Sequence, residues 1–317
     1  MIRLKPITHK KNHAVMFHYF HNENHPHTQG SLSESDFVEM IGWLKEKFNL
    51  LGANEYEEKF RNGFIDNGDI CLTFDDALKC QYDIAIPILD KLNIKAFFFV
   101  YTSIFTNNPN PLEIYRYFRN SSYSNIDYFY KDFFEIVKRN NPKKYEKRYQ
   151  EYKNINHLSA FPFYTENDRW FRYLRDFFFL NDDYHKIMYK LMANKKFDIE
   201  KAKKNLWISK DDLKNISNQG HTIGLHTHSH PTLISKLSIT EQENEYIENN
   251  MLLTKLIGKS ITSMSHPCGD YNKETLNILK KMNIKIGFRS NMSITKIKSP
   301  LEIPREDSTN IYRKMYS

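Results

Sequence analysis

The chain has 317 residues, of which 40% are hydrophobic, and a formal net charge of +8. This length suits one large α/β domain or two smaller domains, and no run of about 18 apolar residues predicts a membrane span. The three cysteines, Cys71, Cys80 and Cys268, are scattered and odd in number, which argues against a disulfide framework. A reducing compartment, the cytoplasm, is therefore the default expectation.

The segment at 1–20 is basic, but it has no continuous apolar core and no small-residue cleavage site. A secretory signal is therefore not predicted. We interpret the positive charge first as a solvated, lysine-rich surface. A sharper interpretation is attraction to an anionic substrate, such as a diphosphate-linked sugar, or to a membrane face. A nucleic-acid partner is not predicted, because no arginine-rich stripe or recognised binding motif is present.

Short β-rich apolar runs alternate with helical patterns along the chain. This order predicts parallel strands joined by right-handed crossovers, and hence an α/β fold. The predicted strands are 13–20, 69–74, 95–101, 222–225, 261–264 and 285–288. The predicted helices are 82–92, in which Pro87 implies a kink or a late start, 240–257 and 273–282.

An aromatic and charged stretch from about 107 to 206 interrupts this alternation. Its helical patterns predict an insertion between two barrel strands, with the Tyr and Phe side chains forming the insertion's own core. An insertion at the mouth of a barrel is also able to shape substrate choice. The predicted domain organisation is a first barrel part at 1–105, a helical insertion at 106–205 and a second barrel part at 206–317.

Two adjacent carboxylates, Asp75 and Asp76, follow the apolar run at 69–74. Carboxylates at the end of a buried strand are costly unless a cation or a functional role compensates them. In barrels, that end of a strand is where active sites assemble. The alternative is that one of the two side chains caps the helix that follows.

A second segment, GHTIGLHTHSHP at 220–231, contains His226 and His230 four residues apart. This spacing places both rings on one side of a helix or a strand, whereas His228 shares that side only in an extended chain. Imidazole and carboxylate ligands suit zinc and several other divalent metals. Two His and one Asp leave a coordination position open, as in catalytic sites, and the second Asp supplies a base. The alternative is a polar surface turn.

A third segment, SHPCGDYN at 265–272, follows the predicted strand at 261–264. A Pro-x-Gly turn at a barrel mouth can direct a backbone N–H at a developing oxyanion. The same turn also occurs in ordinary connections between a strand and a helix.

These three segments resemble the motifs of the polysaccharide deacetylase (NodB-homology) family, which is carbohydrate esterase family four. The matching motifs are TFDD with the KAFFFV strand, GHxIGxHTxxH and PxGxYN. The resemblance covers roughly residues 13–105 and 206–290. It implies a distorted (β/α) barrel that removes N-acetyl or related acyl groups from amino sugars with zinc or a similar divalent metal. It also implies site roles: Asp75 is the base, Asp76, His226 and His230 are metal ligands, and Thr227 orients their loop.

The chain departs from the family pattern in four places. Ala77 replaces the usual Gly, Ser265 stands where the family often has Arg, and Cys268 replaces an aromatic residue, although its backbone N–H still suits the oxyanion. No histidine follows His266, so the family's late L-x-H motif, which supplies a general acid, is absent. His266 is the first candidate for that acid, and the second is His18. Arg305 or Asp307 is expected near the site, and His18, Thr227 and Arg305 are the candidate substrate-binding residues.

The sequence therefore predicts a metal-dependent carbohydrate N-deacetylase. A cytoplasmic, nucleotide- or lipid-linked amino sugar is the expected substrate, made for lipopolysaccharide, capsule or another surface glycan. One alternative is a deformylase or another amidohydrolase that cleaves a C–N bond with the same metal site. The other is a catalytically weak, sugar-binding relative, which the missing late His favours and the intact Asp75 opposes.

Overall fold

The computed structural model describes residues 13–106, 109–158, 164–179, 183–294 and 296–317. Residues 1–12 lie outside this part of the chain, and so does most of the segment for which no secretory signal is predicted. Among the helices in the described ranges, none combines the length and the apolar character needed to cross a membrane.

Parallel strands form a nearly closed barrel, which confirms the expected distorted (β/α) architecture. The strands are β1 (His13–Phe17), β2 (Asn49–Leu50), β3 (Asp69–Asp75), β4 (Phe97–Val100), β5 (Thr222–Leu225), β6 (Ser263–Ser265), β7 (Ile286–Phe288) and β8 (Arg305–Asp307). Seven of them follow the order β7-β6-β5-β4-β3-β1-β8, and β2 pairs with β3 outside this path. Phe288 forms a parallel bridge with Ile303, just before β8, so the two ends of the sheet meet.

All six predicted strands are present, most of them shorter than predicted. The first predicted strand, for example, ends at Phe17 instead of residue 20. The short strands β2 and β8 are missing from the prediction, because two or three residues are too few to show an alternating pattern.

Several of the helices around the barrel begin at a side-chain cap. The barrel helices are α1 (Glu34–Lys47), α2 (Ala53–Arg61), α3 (Ile86–Lys91), α10 (Lys210–Asn218), α11 (Ile239–Ile257), α12 (Lys273–Lys281) and α13 (Ser308–Met315). Ser238 and Glu241 form a capping box at the start of α11, and Gly258 ends that helix with φ 68°. A π-helical turn, Gln81–Ala85, leads directly into α3, so the predicted helix at 82–92 is helical from its start. Pro87 lies next to the point where the geometry changes from π to α, and the late start that the sequence allowed is not found.

Contacts divide the chain into two compact units. One contains the described residues up to His25, together with Gly30–Asn110 and Trp207–Ser317. The other contains Pro26–Gln29 and Pro111–Leu206. The segment Pro26–Gln29 falls within the range 1–105 that was predicted as the first barrel part. The three-part domain organisation therefore stays a prediction.

The second unit is helical and has an aromatic core. Its helices are α4 (Leu112–Ser121), α5 (Ile126–Asn140), α6 (Pro142–Lys153), α7 (Glu166–Phe177), α8 (Asp183–Asn194) and α9 (Ile199–Leu206). Phe133 packs edge-on against Phe171, with ring centroids 4.9 Å apart, and Phe129 contacts both rings. Phe118, from α4, also contacts Phe129.

Successive side chains of strand β4 pack into two different groups of buried residues. Phe97 and Phe99 belong to a buried cluster with Phe288 and Ile303. Phe98, between them, instead stacks on Phe74, with centroids 4.7 Å apart. This alternation is the two-residue period of a strand. Since parallel strands end at the same edge, the residues that follow β1, β3 and β5 converge there.

Candidate metal centre and active site

Asp76, His226 and His230 form a group that is able to hold a metal ion. The Oδ1 atom of Asp76 lies 3.4 Å from Nε2 of His226 and 3.4 Å from Nε2 of His230. One ligand atom from each residue lies within 4.8 Å of the other two. Asp76 Oδ1 is buried and has no hydrogen-bond partner, although a buried carboxylate oxygen normally has one. A divalent cation would satisfy this oxygen, and the mixed N and O donor set fits zinc.

The backbone after β3 directs two successive carboxylates to the same place. Asp76 and Ala77 have φ values of 73° and 53°, in the left-handed region that L-residues rarely adopt. In a regular strand, neighbouring side chains point to opposite faces. Here both Asp75 Oδ2 and Asp76 Oδ1 lie within 4.0 Å of His226 Nε2. The positive φ of Ala77 also gives a physical reason for the glycine that the family usually has there.

The loop of residues 226–230, named the ligand loop below, carries both histidines in a strained conformation. Thr227 and His230 have φ values of 63° and 58°. The Thr227 hydroxyl donates to the His226 carbonyl (2.6 Å) and accepts from the His230 N–H (3.1 Å). The Thr227 side chain is fully buried, so this geometry suits the predicted orienting role better than a substrate contact.

The tautomer of His226 follows from its hydrogen bond. Its Nδ1 lies 2.9 Å from the carbonyl oxygen of Ser265, which can only accept, so Nδ1 carries the hydrogen. The lone pair of Nε2 in the neutral ring therefore faces Asp76, as metal binding requires. Burial lowers the pKa of His230 to about 4, so that ring is neutral near pH 7.

Asp75 is held by Arg305 in a buried ion pair. The guanidinium donates to Oδ1 (2.7 Å) and Oδ2 (2.6 Å) of Asp75. Arg305 also donates to Ser265 Oγ (2.7 Å), and Ser265 Oγ in turn donates to Asp75 Oδ2 (3.2 Å). Burial raises the pKa of Asp75, but the charge of Arg305 and neighbouring groups outweighs it and holds the pKa below its ordinary value. Asp75 is therefore ionised, as a base must be.

Arg305 has no solvent-exposed side-chain surface. This burial argues against the predicted substrate contact, because the whole guanidinium is committed to the protein interior. Asp307, the neighbouring candidate, accepts a hydrogen bond from the Thr309 N–H and caps α13. In this chain a guanidinium from β8 reaches Ser265, the position at which the family often has Arg.

His18, at the end of β1, lies at the site. Its Nε2 is 3.9 Å from Asp75 Oδ2 and 3.8 Å from Asp76 Oδ2, and 28% of its side chain is exposed. Gln81, which the sequence did not single out, donates to the carbonyl oxygens of His18 (2.9 Å) and Asp75 (2.6 Å). An isolated Gln in an amphipathic stretch gives no sequence signal, but here it joins the ends of β1 and β3.

His266, the first candidate for the acid, is outside this group. Its Nε2 donates to the Leu301 carbonyl (2.8 Å), and the ring is buried against Tyr271. Burial is the largest cause that lowers the pKa of His266 to about 3. A neutral ring with its one N–H already bonded has no proton to donate near pH 7, which argues against the predicted role.

The two remaining residues of interest occupy separate positions. Cys268 is exposed, with φ 52°, in the turn Pro267–Gly269 that follows β6. Its N–H therefore lies on the side of the barrel where the strands end. His228 is not in the metal-ligand group, since its Nδ1 lies 3.0 Å from Thr102 Oγ1.

Comparisons with known proteins agree with this geometry. The family model "Polysaccharide deacetylase" matches residues 65–123 and 174–287, more than half of the chain. The peptidoglycan-N-acetylglucosamine deacetylase of Bacillus cereus is 34% identical over 74 residues, which are 23% of this chain. The match covers only 26% of that relative's length.

Solved structures share the fold at low sequence identity. The Streptococcus pyogenes deacetylase PplD, in complex with acetate, has a TM-score of 0.55 at 17% identity, over 96% of this chain and 93% of that one. IcaB from Ammonifex degensii has a TM-score of 0.56 at 12% identity, over 93% and 90%. The de-N-acetylase from Aggregatibacter actinomycetemcomitans has a TM-score of 0.54 at 14% identity, over 93% of each chain.

Proposed function

Because the chain belongs to the polysaccharide deacetylase family, we propose that it is a metal-dependent hydrolase that removes the acetyl group from the nitrogen of an amino sugar. The observation that carries the proposal is Asp76 Oδ1, a buried oxygen without a hydrogen-bond partner that faces the Nε2 atoms of His226 and His230. Beside it lies a second carboxylate, Asp75, which Arg305 keeps ionised. A ligand set next to an independent base is the arrangement that metal-assisted hydrolysis needs.

In the proposed reaction, Asp75 removes a proton from the attacking water while the oxygen of that water bonds to the amide carbon. A divalent cation held by Asp76, His226 and His230 would supply Lewis-acid activation of the water and the carbonyl group. Arg305 keeps the Asp75 carboxylate in one orientation and in its ionised form. The backbone N–H of Cys268 is proposed to donate to the developing oxyanion.

We assign the general acid to His18 in place of His266. His18 is partly exposed and lies within 4 Å of both Asp75 and Asp76, so its Nε2 is able to carry a proton at the edge of the site. When the C–N bond breaks, this proton passes to the departing nitrogen. The products are acetate and the free amino sugar. In this scheme, the missing late histidine is replaced by one that directly follows the first strand.

For the natural substrate, we propose a nucleotide- or lipid-linked amino sugar used for a surface glycan such as lipopolysaccharide or capsule. The net charge of +8 supports an anionic carrier group. The three free thiols support a reducing compartment such as the cytoplasm.

The test is to count metal per purified chain and to measure acetate and formate release from N-acylated sugars, free and nucleotide-linked. Asp75→Asn and His226→Ala are expected to abolish release, and His226→Ala is expected also to lower metal content. Asp90 is a carboxylate that pairs with Lys95 away from the site, so Asp90→Asn is the control and should behave as wild type.

Two outcomes would favour other functions. Formate release without acetate would favour the deformylase alternative. A wild type that binds metal and hydrolyses no sugar would favour a sugar-binding relative.

A further inference from the structure

The ligand loop is fixed from outside by helix α11, which contributes no metal ligand. Thr227 and His230 both have positive φ, and such residues persist only where the surroundings hold them. Within the described ranges, the hydroxyl group of Thr227 bonds only to residues of the loop itself. The free energy that offsets this strain must therefore come from contacts between the loop and the rest of the barrel.

Glu245, in the second turn of α11, accepts three hydrogen bonds from the ligand loop. Its Oε2 accepts from the backbone N–H of His228 (2.9 Å) and of Ser229 (2.7 Å), and its Oε1 accepts from Ser229 Oγ (2.5 Å). All three donors lie between His226 and His230. A carboxylate that binds consecutive N–H groups fixes the turn that sets the separation of the two imidazoles.

Asn249, one helical turn after Glu245, binds the start of the loop. Its Oδ1 accepts from the His226 N–H (3.0 Å), and its Nδ2 donates to Val100 O (2.9 Å) and Thr102 Oγ1 (3.2 Å). The side chain is completely buried. Asn249 thus ties His226 to the end of β4, while Glu245 holds the residues that follow.

We propose that Glu245 and Asn249 are positioning residues that set the affinity of the site for its metal ion. The inference rests on the metal-binding part of the proposed function. The loop without these bonds is expected to relax from its left-handed conformations, so the imidazoles separate and the ion binds more weakly. Partners that orient metal ligands typically change metal affinity about 10- to 100-fold when they are removed.

The experiment measures zinc affinity by competition with a chromophoric chelator, well below the unfolding temperature. Glu245→Ala is expected to weaken zinc binding about 10- to 100-fold. Glu245→Gln keeps an acceptor oxygen for the two backbone N–H groups and should recover most of the affinity. Glu248→Ala is the matched control, because Glu248 is on the same helix and lies 3.6 Å from the His228 ring without bonding the loop backbone. It removes the same charge and should leave affinity unchanged.

Each outcome decides between the hypotheses. Wild-type affinity in Glu245→Ala, or equal losses in Glu245→Ala and Glu248→Ala, would overturn the positioning role. If Glu245→Ala does not fold, the comparison of Glu245→Gln with Asn249→Asp replaces it. Asn249→Asp loses both donated bonds and should bind zinc more weakly than Glu245→Gln, so equal affinities would overturn the proposal. Weakened zinc binding with no acetate release by wild type would retain the positioning role and reject the deacetylase.

Discussion

Arg305 and Asp75 are 230 residues apart in the sequence and share two buried hydrogen bonds of 2.7 and 2.6 Å. The side chains are 0% and 3% exposed. The pair joins β8 to β3, the two strands that flank β1. It therefore connects the closing strand of the barrel to the candidate base, and one contact serves both the fold and the site.

Replacing Arg305 by Met should lower the free energy of unfolding by about 3–5 kcal/mol, because Asp75 is left buried without its partner. The double variant Asp75→Asn/Arg305→Met should cost less than the sum of the single variants, since both charges are then absent. Urea unfolding of the four proteins measures this coupling. Arg148→Met, which breaks a partly exposed pair with Glu151, is the control and should cost little. Equal costs for Arg305→Met and Arg148→Met would contradict the assignment.

The site residues that could be predicted from the sequence are those that neighbouring residues in the chain make recognisable. Asp75, Asp76, His226 and His230 stand out because polar residues follow apolar strands, and those strands were predicted from their own composition. The contacts of Arg305, Gln81 and Asn249 depend on which distant segments meet, and no local pattern encodes that. Arg305 lies in a strand of three residues, too short to be recognised as the last strand of the barrel.

His18 and His266 differ in what their removal should do. His18→Gln is expected to lower kcat by about 10²–10⁴-fold, the usual contribution of a general acid, with metal content unchanged. His266→Gln removes the buried ring that bonds the Leu301 carbonyl and stacks on Tyr271, and it should lower stability while the folded fraction keeps its kcat. Steady-state kinetics beside thermal unfolding separates the two effects. A folded His266→Gln protein without turnover, beside an active His18→Gln protein, would reverse the assignment.

Zinc should raise the unfolding temperature of the wild type, because the ion binds the native site and not the dispersed ligands. A free zinc concentration 100 times Kd stabilises the native state by about 2.7 kcal/mol. His230→Ala removes one of the three ligands and should lose most of this gain, whereas Glu248→Ala should keep it. Differential scanning calorimetry with and without a chelator measures the shift. An equal gain in His230→Ala would remove His230 from the ligand set.

His221 should make the protein less stable as the pH falls. Burial lowers its pKa from 6.5 to about 4, and its Nδ1 accepts from the Ala96 N–H (3.2 Å). At a pH between these two pKa values, the His221 ring is protonated in the unfolded chain and neutral in the native protein. Stability is therefore lost as the pH falls from about 6.5 towards 4. The part of this loss that comes from His221 is about 2 kcal/mol between pH 7 and 5. His221→Asn, followed by urea unfolding at several pH values, should reduce the loss between pH 7 and 5 by about 2 kcal/mol and leave the part that comes from His230 and His266. An unchanged slope would contradict the assignment.

Gly224, in β5, is required by the close approach of two neighbouring strands. A Cβ there would lie 2.5 Å from the ring of Phe99 and 2.7 Å from Ser263 Oγ, closer than real contacts allow. Phe99 is completely buried in the barrel, so Gly224→Ala should lower the free energy of unfolding by about 1–3 kcal/mol. β5 leads directly into the ligand loop, and a displaced strand should therefore also weaken zinc binding.

Gly42→Ala is the matched control for this substitution. Gly42 lies on the exposed side of α1, and a Cβ there would meet nothing within 4 Å. The alanine restricts the unfolded chain and suits the helix, so the variant should gain roughly 0.5–1 kcal/mol. The same chemical change is thus expected to have opposite signs at the two positions. A neutral or stabilising Gly224→Ala, measured by urea unfolding without metal, would show that β5 can move away from Phe99 and that its packing does not determine the position of His226.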